Sequence, residues 1–314
     1  MLDIAARVLA RLDAGARVVV ATSIDVEGSA PRTVGASMAW DGEAVIGSIA
    51  GGCVEGAVVE VAERVLDDGR ARTVEFGVSD ETALGVGLAC GGRLRIHLAL
   101  IGPGDPIAVP ALRDAAAGRS AALALTPDGV DVAGCAVPGA YLDVAAAPER
   151  MILLGAMEFS VAVSAAAVAA GFAVTVCDPR ELFLTAERFP GATLALGWPP
   201  EVLAGCAIDE RTVVALLAHD ERWEVDALAV ALASPARYVG AMGSRRTTAR
   251  RLAELTDRGA DAARLRAPIG LDLGAQTPAE IAVSVLAEVL ATRSGATGLP
   301  LRDGSGVLTV HPRG

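Results

Sequence analysis

The second half of the chain alternates short apolar runs with longer helical patterns. Residues 151–154 are apolar throughout, and residues 212–217 are apolar except for Thr212; both runs are too short for buried helices, so they predict strands that are buried on both faces. Residues 159–170 and 278–293 show the length and composition of helices. Strands and helices that alternate at this spacing predict a doubly wound parallel sheet, a Rossmann-like α/β domain over residues 150–314.

The first half mixes strand-like runs with two helical patterns at residues 2–14 and 55–68. The strand-like runs lie at residues 17–23, 37–40, 44–49, 73–77 and 93–100. Asp41-Gly42 is a hairpin turn signal. These patterns predict an α/β domain over residues 1–104. The Gly- and Pro-rich stretch 105–149 is interpreted as a linker with accessory strands.

Composition narrows the function classes. The chain has 314 residues, enough for about two domains, and 53% of them are hydrophobic, enough for a large core. Its net charge of −11 opposes nucleic-acid binding. It has no uncharged apolar run of about 18 residues, and its first residues lack the pattern of a signal peptide, so we expect no membrane partner and a cytoplasmic location.

Two residue types limit the chemistry further. The chain contains no lysine, which excludes a Walker A loop and a lysine Schiff base, and leaves arginine and backbone amides to hold anions. Its five cysteines include no CxxC pair, so a structural zinc site is not expected, and a cytoplasmic location would keep them reduced.

Three loops in the first half combine glycine with cysteine or arginine. Paired glycines let backbone amides approach an anion, an arginine can clamp phosphate, and a helix start favours a cysteine thiolate. The alternative interpretation is tight turns with small core thiols. The candidate ligand-binding residues in these loops are Arg32, Gly51, Gly52, Cys53, Glu55, Cys90, Gly91 and Gly92.

The turn after the first strand of the Rossmann-like domain reads Gly155-Ala156-Met157-Glu158. Asp178 follows Gly155 by about 20 residues, the spacing at which an acid binds the ribose of a dinucleotide. Met157 stands where a glycine would admit the pyrophosphate, and Glu158 would repel phosphate. The pattern therefore predicts the fold, while these two side chains oppose NAD(P) binding in the usual way.

A second turn carries Gly240, Gly243 and Ser244, followed by Arg245. Arginine in the first turn of a helix opposes the helix dipole, which an anion bound there would explain; a solvated helix start is the alternative. Asp272 is an acid in an apolar loop and is expected to be buried. That loop leads into a helix predicted to begin with a capping box of Thr277 and Glu280.

Several of these segments resemble a known family along nearly the whole chain. GSAPRTVGA, SIAGGCVEGAV and GLACGGRLRIHL resemble the N-terminal domain of the xanthine dehydrogenase accessory factor family, XdhC/CoxI. VTVCDPRELF, the AHD at 218–220, YVGAMGSRRT and APIGLDLGAQTPAEIAVSVLAEVLA resemble its C-terminal Rossmann domain.

The resemblance implies a chaperone for the molybdenum cofactor, a binding and insertion factor rather than a turnover enzyme. Such proteins bind molybdopterin, protect it during sulfuration by a cysteine desulfurase, and deliver it to an apo molybdenum hydroxylase of the xanthine dehydrogenase or CO dehydrogenase type. They are usually homodimers. The family's CGG cysteine corresponds to Cys90, a candidate ligand of the cofactor molybdenum, and its GGCxE cysteine to Cys53. The family's usual Gly-Ala-Gly-His turn is replaced here by residues 155–158.

Two alternatives stay open at this point. An NAD(P)-dependent oxidoreductase on the same scaffold is favoured by Asp178 and opposed by Met157 and Glu158. A molybdopterin nucleotidyltransferase would need a metal-binding acidic cluster, for which Asp272 with Asp178 or Asp220 is available.

Overall fold

The protein is described by a computed structural model that covers residues 1–27, 34–77, 93–134 and 137–303. The chain forms two compact units, which within these ranges are residues 1–147 and 148–303. We call them the N-terminal unit and the C-terminal unit. None of the described helices combines the length and apolar character that crossing a bilayer demands.

The N-terminal unit is built around a five-stranded antiparallel sheet. Its first elements are α1 (Ala5–Asp13), β1 (Val18–Glu27), β2 (Ser37–Trp40), β3 (Val45–Gly47), α2 (Glu55–Asp68), β4 (Arg72–Phe76) and β5 (Arg93–Ile101). The strand order is β3-β2-β1-β5-β4, and the hairpin predicted at Asp41-Gly42 joins β2 to β3. Alternate residues of β1 face opposite cores: Val19 packs in the core with α2, and Val18 in the core with α1.

The segment after β5 adds a helix and a small sheet to this unit. It contains α3 (Ala108–Ala116), β6 (Ala121–Thr126), β7 (Gly129–Val132) and β8 (Tyr141–Ala145), with sheet order β7-β6-β8. Leu112 of α3 and Leu125 of β6 are buried in one core with Leu9 of α1. The strands match the predicted accessory strands, but α3 was not predicted. Pro110 suggests a loop in the sequence, yet it falls in the first turn of α3, where a helix needs no N–H from it.

The C-terminal unit is a six-stranded parallel sheet with helices on both faces. Its elements are β9 (Arg150–Leu154), α4 (Glu158–Ala169), β10 (Ala173–Asp178), β11 (Thr193–Leu196), α5 (Pro199–Gly205), β12 (Thr212–Leu216), α6 (Glu224–Ala233), β13 (Tyr238–Ala241), α7 (Arg245–Asp257), β14 (Leu265–Arg266) and α8 (Pro278–Ser294). The order β11-β10-β9-β12-β13-β14 is that of a Rossmann fold, so the predicted fold class is confirmed.

Two apolar cores enclose this sheet. Leu203, Leu228 and Leu255 place α5, α6 and α7 on one face, while Val163 and Val285 place α4 and α8 on the other. The predicted capping box of α8 is confirmed. The Thr277 hydroxyl accepts a hydrogen bond from the Glu280 amide at 3.3 Å, and the Glu280 carboxylate accepts one from the Thr277 amide at 3.0 Å. The strand order reverses between β9 and β12, which is where ligands bind in such sheets.

Candidate functional site

The first candidate site is the turn that joins β3 to α2, residues 48–54, here called the Cys53 loop. Gly51 and Gly52 have φ angles of +73° and +113°, which other residues rarely adopt. Among the described residues, none has an atom within 4 Å of the position of a Cβ at either glycine. Cys53 follows them and is an exposed free thiol. The loop therefore presents its sulfur to solvent beside bare backbone.

The Glu55 carboxylate, at the start of α2, folds back onto this loop. Its Oε1 accepts hydrogen bonds from the Ser48 hydroxyl (2.7 Å) and the amides of Ile49 (3.2 Å) and Ala50 (2.9 Å), and its Oε2 from the amides of Gly52 (2.9 Å) and Val54 (3.2 Å). Burial alone would raise the pKa of Glu55, but these hydrogen bonds outweigh it and lower the pKa to about 2. The amides predicted to cradle a ligand anion thus donate to the protein's own carboxylate. A contact between Glu55 and a cofactor stays a prediction.

The other candidates of the N-terminal half fall outside the described residues. These are Arg32, Cys90, Gly91 and Gly92. Their assignment as ligand-binding residues stays a prediction; of the predicted site in this half, Gly51, Gly52, Cys53 and Glu55 lie within the described residues.

The second candidate site is the carboxyl edge of the parallel sheet. Gly155 follows β9 with φ of +100°, and a Cβ atom there would lie 2.3 Å from the Cβ of Ala218, which follows β12. The glycine therefore allows the two turns at the reversal point to pack directly on each other. Gly155, which the sequence suggested as a dinucleotide-binding residue, therefore serves a packing contact within the protein.

Asp178, at the end of β10, is fully buried and engaged on both oxygens. Arg180 donates from Nε to Oδ1 at 2.9 Å and from Nη2 to Oδ2 at 2.8 Å, and the Ala156 amide donates to Oδ2 at 2.7 Å. Burial opposes ionisation of Asp178, but the hydrogen bonds from Arg180 and Ala156 outweigh it and lower the pKa of the carboxyl group. Arg180 thus occupies the acceptors that a ribose would use.

Arginine side chains also contact Met157 and Glu158 of the turn after β9. The Arg180 guanidinium lies 4.7 Å from the centre of the Phe183 ring, and its Nη2 is 3.4 Å from the Met157 sulfur. Arg188 pairs with Glu158 at 3.1 Å and donates to the Phe183 carbonyl oxygen at 2.6 Å. The two side chains that replace the family's usual glycine and histidine are therefore both in contact with arginines.

The start of α7 borders a cavity on the same sheet edge. The Ser244 hydroxyl caps the helix by accepting a hydrogen bond from the Thr247 amide at 3.1 Å. Arg245 and Arg246 are exposed, and the described residues offer neither of them an ion pair. The cavity has a volume of about 620 Å³ and is lined by His219, Glu221, Glu224, Ser244, Arg246, Thr247 and Arg250. An anion at this helix start would meet a positive side chain and the positive end of the helix dipole.

A buried ion cluster that the sequence analysis missed supports this edge. Glu224 is 1% exposed and pairs with the fully buried Arg251 and with Arg250. Arg251 also donates to the Met242 carbonyl oxygen at 2.6 Å and lies 3.4 Å from Nδ1 of His219. Burial opposes ionisation of Glu224, but the arginines outweigh it and lower its pKa. No pattern in the sequence distinguishes these charges from surface charges of ordinary helices.

The glycines of the second turn also pack closely. A Cβ atom at Gly240 would lie 2.6 Å from Ile269 and 2.7 Å from Tyr238, and one at Gly243 would lie 3.1 Å from Arg251.

Asp272 is exposed, so the prediction that it is buried is wrong. The prediction rested on the apolar residues around Asp272, but their loop runs along the surface. There Asp272 borders a cavity of about 260 Å³.

The three acids considered for metal-dependent nucleotidyl transfer lie in different settings. Asp178 is bound by Arg180, Asp220 accepts two hydrogen bonds from the Arg222 guanidinium at 2.9 and 2.6 Å, and Asp272 is exposed. Across the described residues, no group of three or more His, Cys, Asp or Glu side chains has the arrangement of a metal site. Both engaged acids thus serve ion pairs within the unit.

Comparison with known proteins adds to this geometry. The model of the XdhC Rossmann domain matches residues 151–289, and that of the XdhC and CoxI family matches residues 11–77. The chain belongs to the XdhC and CoxI family. Both matches agree with the resemblance noted in the sequence, one in each unit. The family resemblance inferred from the motifs is therefore confirmed.

Relatives extend over most of the chain. It is 28% identical over 296 residues to the molybdenum cofactor insertion chaperone PaoD of Escherichia coli K12, covering 90% of this chain and 85% of PaoD. It is 26% identical over 310 residues to a probable xanthine dehydrogenase subunit of Bacillus subtilis 168, covering 88% of this chain and 93% of that relative. YqeB of Escherichia coli K12 is 27% identical over 282 residues, covering 89% of this chain but only 44% of YqeB.

A solved structure supports the fold of this XdhC/CoxI protein. The crystal structure of a xanthine dehydrogenase from Bacillus halodurans aligns with a TM-score of 0.76 at 25% identity and covers 96% of this chain and 98% of that one. The two-part architecture is thus shared with a chain of similar extent.

Proposed function

We propose that this XdhC/CoxI protein binds the molybdenum cofactor as cargo and delivers it to a xanthine dehydrogenase-type molybdenum hydroxylase. The observation that carries the proposal is the exposed Cys53 thiol on a glycine loop that is already braced by Glu55. A soft thiolate is a suitable ligand for molybdenum or its sulfido group. Two relatives, one named a cofactor insertion chaperone and one a probable xanthine dehydrogenase component, support the class of cargo and client.

The donor chemistry of the loop fits such a cargo. Gly51 and Gly52 carry no side chain, and within the described part of the chain nothing fills the space beside them, which leaves room next to the sulfur for a flat, bulky group. Cys53 would supply the ligand sulfur, and Cys90, outside the described residues, is proposed as a second sulfur on the strength of the family resemblance. Bound cofactor would bring the redox-active metal; the chain's own groups bind and shield it.

We propose a separate anion-binding contact on the C-terminal unit. Ser244 and Arg245, with Gly243 before them, form a helix start with positive charge and no acid in its first turn. Gly240 and Asp272 belong to the same edge and are proposed to shape it. A phosphate group is what this chemistry would recognise.

The partners in this proposal are an apo molybdenum hydroxylase, which receives the cofactor, and a cysteine desulfurase, which supplies sulfur to it. We further propose a cytoplasmic homodimer. Turnover of NAD(P) is the less favoured function, because Arg180 already occupies the Asp178 carboxylate and Met157 lies beside it.

The test is retention of the cofactor by the purified full chain. Molybdenum cofactor released from a molybdenum enzyme is mixed with the protein under anaerobic conditions, free cofactor is removed by gel filtration, and retained pterin is quantified by fluorescence after oxidation. We expect retention by the wild-type chain, and at least about a tenfold loss in Cys53→Ser, which removes the soft ligand. Cys206→Ser is the matched control, because Cys206 is a half-buried free cysteine of the other unit.

Two outcomes would contradict the proposal. One is a wild-type chain that retains no pterin. The other is saturable binding of NADH, seen as a change in its fluorescence, in a chain whose pterin retention is unaffected by Cys53→Ser. The first removes the cargo, and the second favours the oxidoreductase.

A further inference from the structure

We propose that Glu55 is the positioning residue of the Cys53 loop: its carboxylate takes the place of a ligand anion in the glycine turn and holds the thiol in a preformed arrangement. The claim that this arrangement favours binding of the cofactor rests on the proposed function. The claim that Glu55 holds the loop does not depend on it.

Hydrogen bonds from the loop saturate the Glu55 carboxylate. Two carboxylate oxygens offer about four lone-pair sites, and five donors from residues 48–54 already converge on those of Glu55. No acceptor capacity is left for a ligand hydroxyl or amine. In this proposal Glu55 therefore acts through the loop, in place of the direct contact with a cofactor predicted from the sequence.

The amides that donate to Glu55 lie on both sides of Cys53 along the chain. Oε2 of Glu55 holds the amide of Gly52 at 2.9 Å and that of Val54 at 3.2 Å, the residues immediately before and after Cys53. Oε1 holds Ala50 at 2.9 Å, at the other end of the glycine pair. The backbone of Cys53 is thus bracketed by one side chain while its own thiol stays exposed. A ligand that approaches the thiol meets a backbone that folding has already ordered.

Hydrogen bonds to Glu55 flank the glycine pair. Gly51 and Gly52 have positive φ, and among the described residues no atom lies within 4 Å of the position of a Cβ at either of them. The Gly51 amide donates to the Ser48 hydroxyl at 3.1 Å, and that hydroxyl donates to Glu55 at 2.7 Å. Loss of the carboxylate would therefore remove hydrogen bonds on both sides of the pair, at Ala50 and at Gly52.

The structural part is tested by hydrogen exchange of the loop amides in the full chain. Glu55→Gln keeps the size of the side chain but replaces one acceptor oxygen with a donor. We expect the amides of Ala50 and Gly52 to exchange at least about tenfold faster, since hydrogen bonds to charged groups are strong. Glu63→Gln is the control, because Glu63 is an exposed glutamate of the same helix. Unchanged exchange in Glu55→Gln would overturn the bracing.

The positioning role is tested by pterin retention in the same variants. We expect Glu55→Gln to retain at least about tenfold less pterin at an unchanged global melting temperature, Glu55→Asp to recover part of it, and Glu63→Gln to match the wild type. Faster exchange with wild-type retention would overturn the positioning role. A wild-type chain that retains no pterin would refute the proposed function, and the exchange data would still decide whether Glu55 holds the loop.

Discussion

Replacement of Gly155 by alanine tests whether this glycine serves packing within the Rossmann-like unit. Two effects add at this position. The φ angle of +100° is unfavourable for alanine by about 1–2 kcal/mol. The new methyl group would lie 2.3 Å from the Cβ of Ala218 and 3.2 Å from its amide nitrogen, atoms that cannot rotate away. Overpacking of this kind costs about 1–3 kcal/mol.

The expected loss of unfolding free energy is therefore about 2–5 kcal/mol, or ~5–15 °C in the melting temperature of a unit of this size. Two other glycines separate the two effects. Gly171 has φ of +87° and nothing within 4 Å of a Cβ, so Gly171→Ala isolates the backbone strain. Gly240 lacks a positive φ but would clash with Ile269 and Tyr238, so Gly240→Ala isolates crowding against side chains that can shift.

Urea unfolding followed by circular dichroism gives the three free energies. We expect Gly155→Ala to be the most destabilised, Gly171→Ala to lose about 1–2 kcal/mol, and Gly240→Ala to lie between them. A Gly155→Ala variant no less stable than Gly171→Ala would show that the turn at Ala218 can open, and would refute the packing role.

Three more predictions concern polar groups. Glu224→Gln leaves the fully buried Arg251 without its anion and should cost about 3–5 kcal/mol in urea unfolding, whereas Glu221→Gln, at an 80% exposed side chain, should have little effect. Thr277→Ala removes the cap of α8 and should cost about 1 kcal/mol by the same measurement; no loss would contradict the capping role. Asp41 has its pKa lowered to about 2 by hydrogen bonds from Arg11 and nearby amides, which outweigh burial. Its stabilisation is present above its unfolded pKa of 3.8 and is lost as pH falls towards 2, so Asp41→Asn should flatten the acid limb of stability against pH.

The fold of the C-terminal unit could be predicted because its strands are apolar on both faces and its helices begin and end at residues typical of helix termini. Thr277 and Glu280 predicted both the start of α8 and the two hydrogen bonds that form there. The helix α3 could not be predicted, because Pro110 gives the same signal in a loop and in the first turn of a helix.

The candidate site was predictable in its residue types but not in their partners. The pattern around Gly52 and Cys53 indicated an anion-binding turn, and the turn does bind an anion, the carboxylate of Glu55. Asp178 lies at the edge of the sheet as expected, but its pairing with Arg180 depends on rotamers that the spacing does not specify. Local sequence fixes which groups can meet, and packing decides which of them do.

These two internal pairings have opposite consequences for a ligand. At the Rossmann edge a ribose would have to displace Arg180 from the buried Asp178 carboxylate, which would give up charge-assisted hydrogen bonds that already satisfy both of its oxygens. At the Cys53 loop the Glu55 carboxylate binds backbone amides and leaves the thiol exposed, so a ligand at the sulfur need not break those hydrogen bonds. A protein carboxylate is thus bound within its own unit at both places: this pairing disfavours a dinucleotide at Asp178, and under the proposed function it would favour a ligand at Cys53.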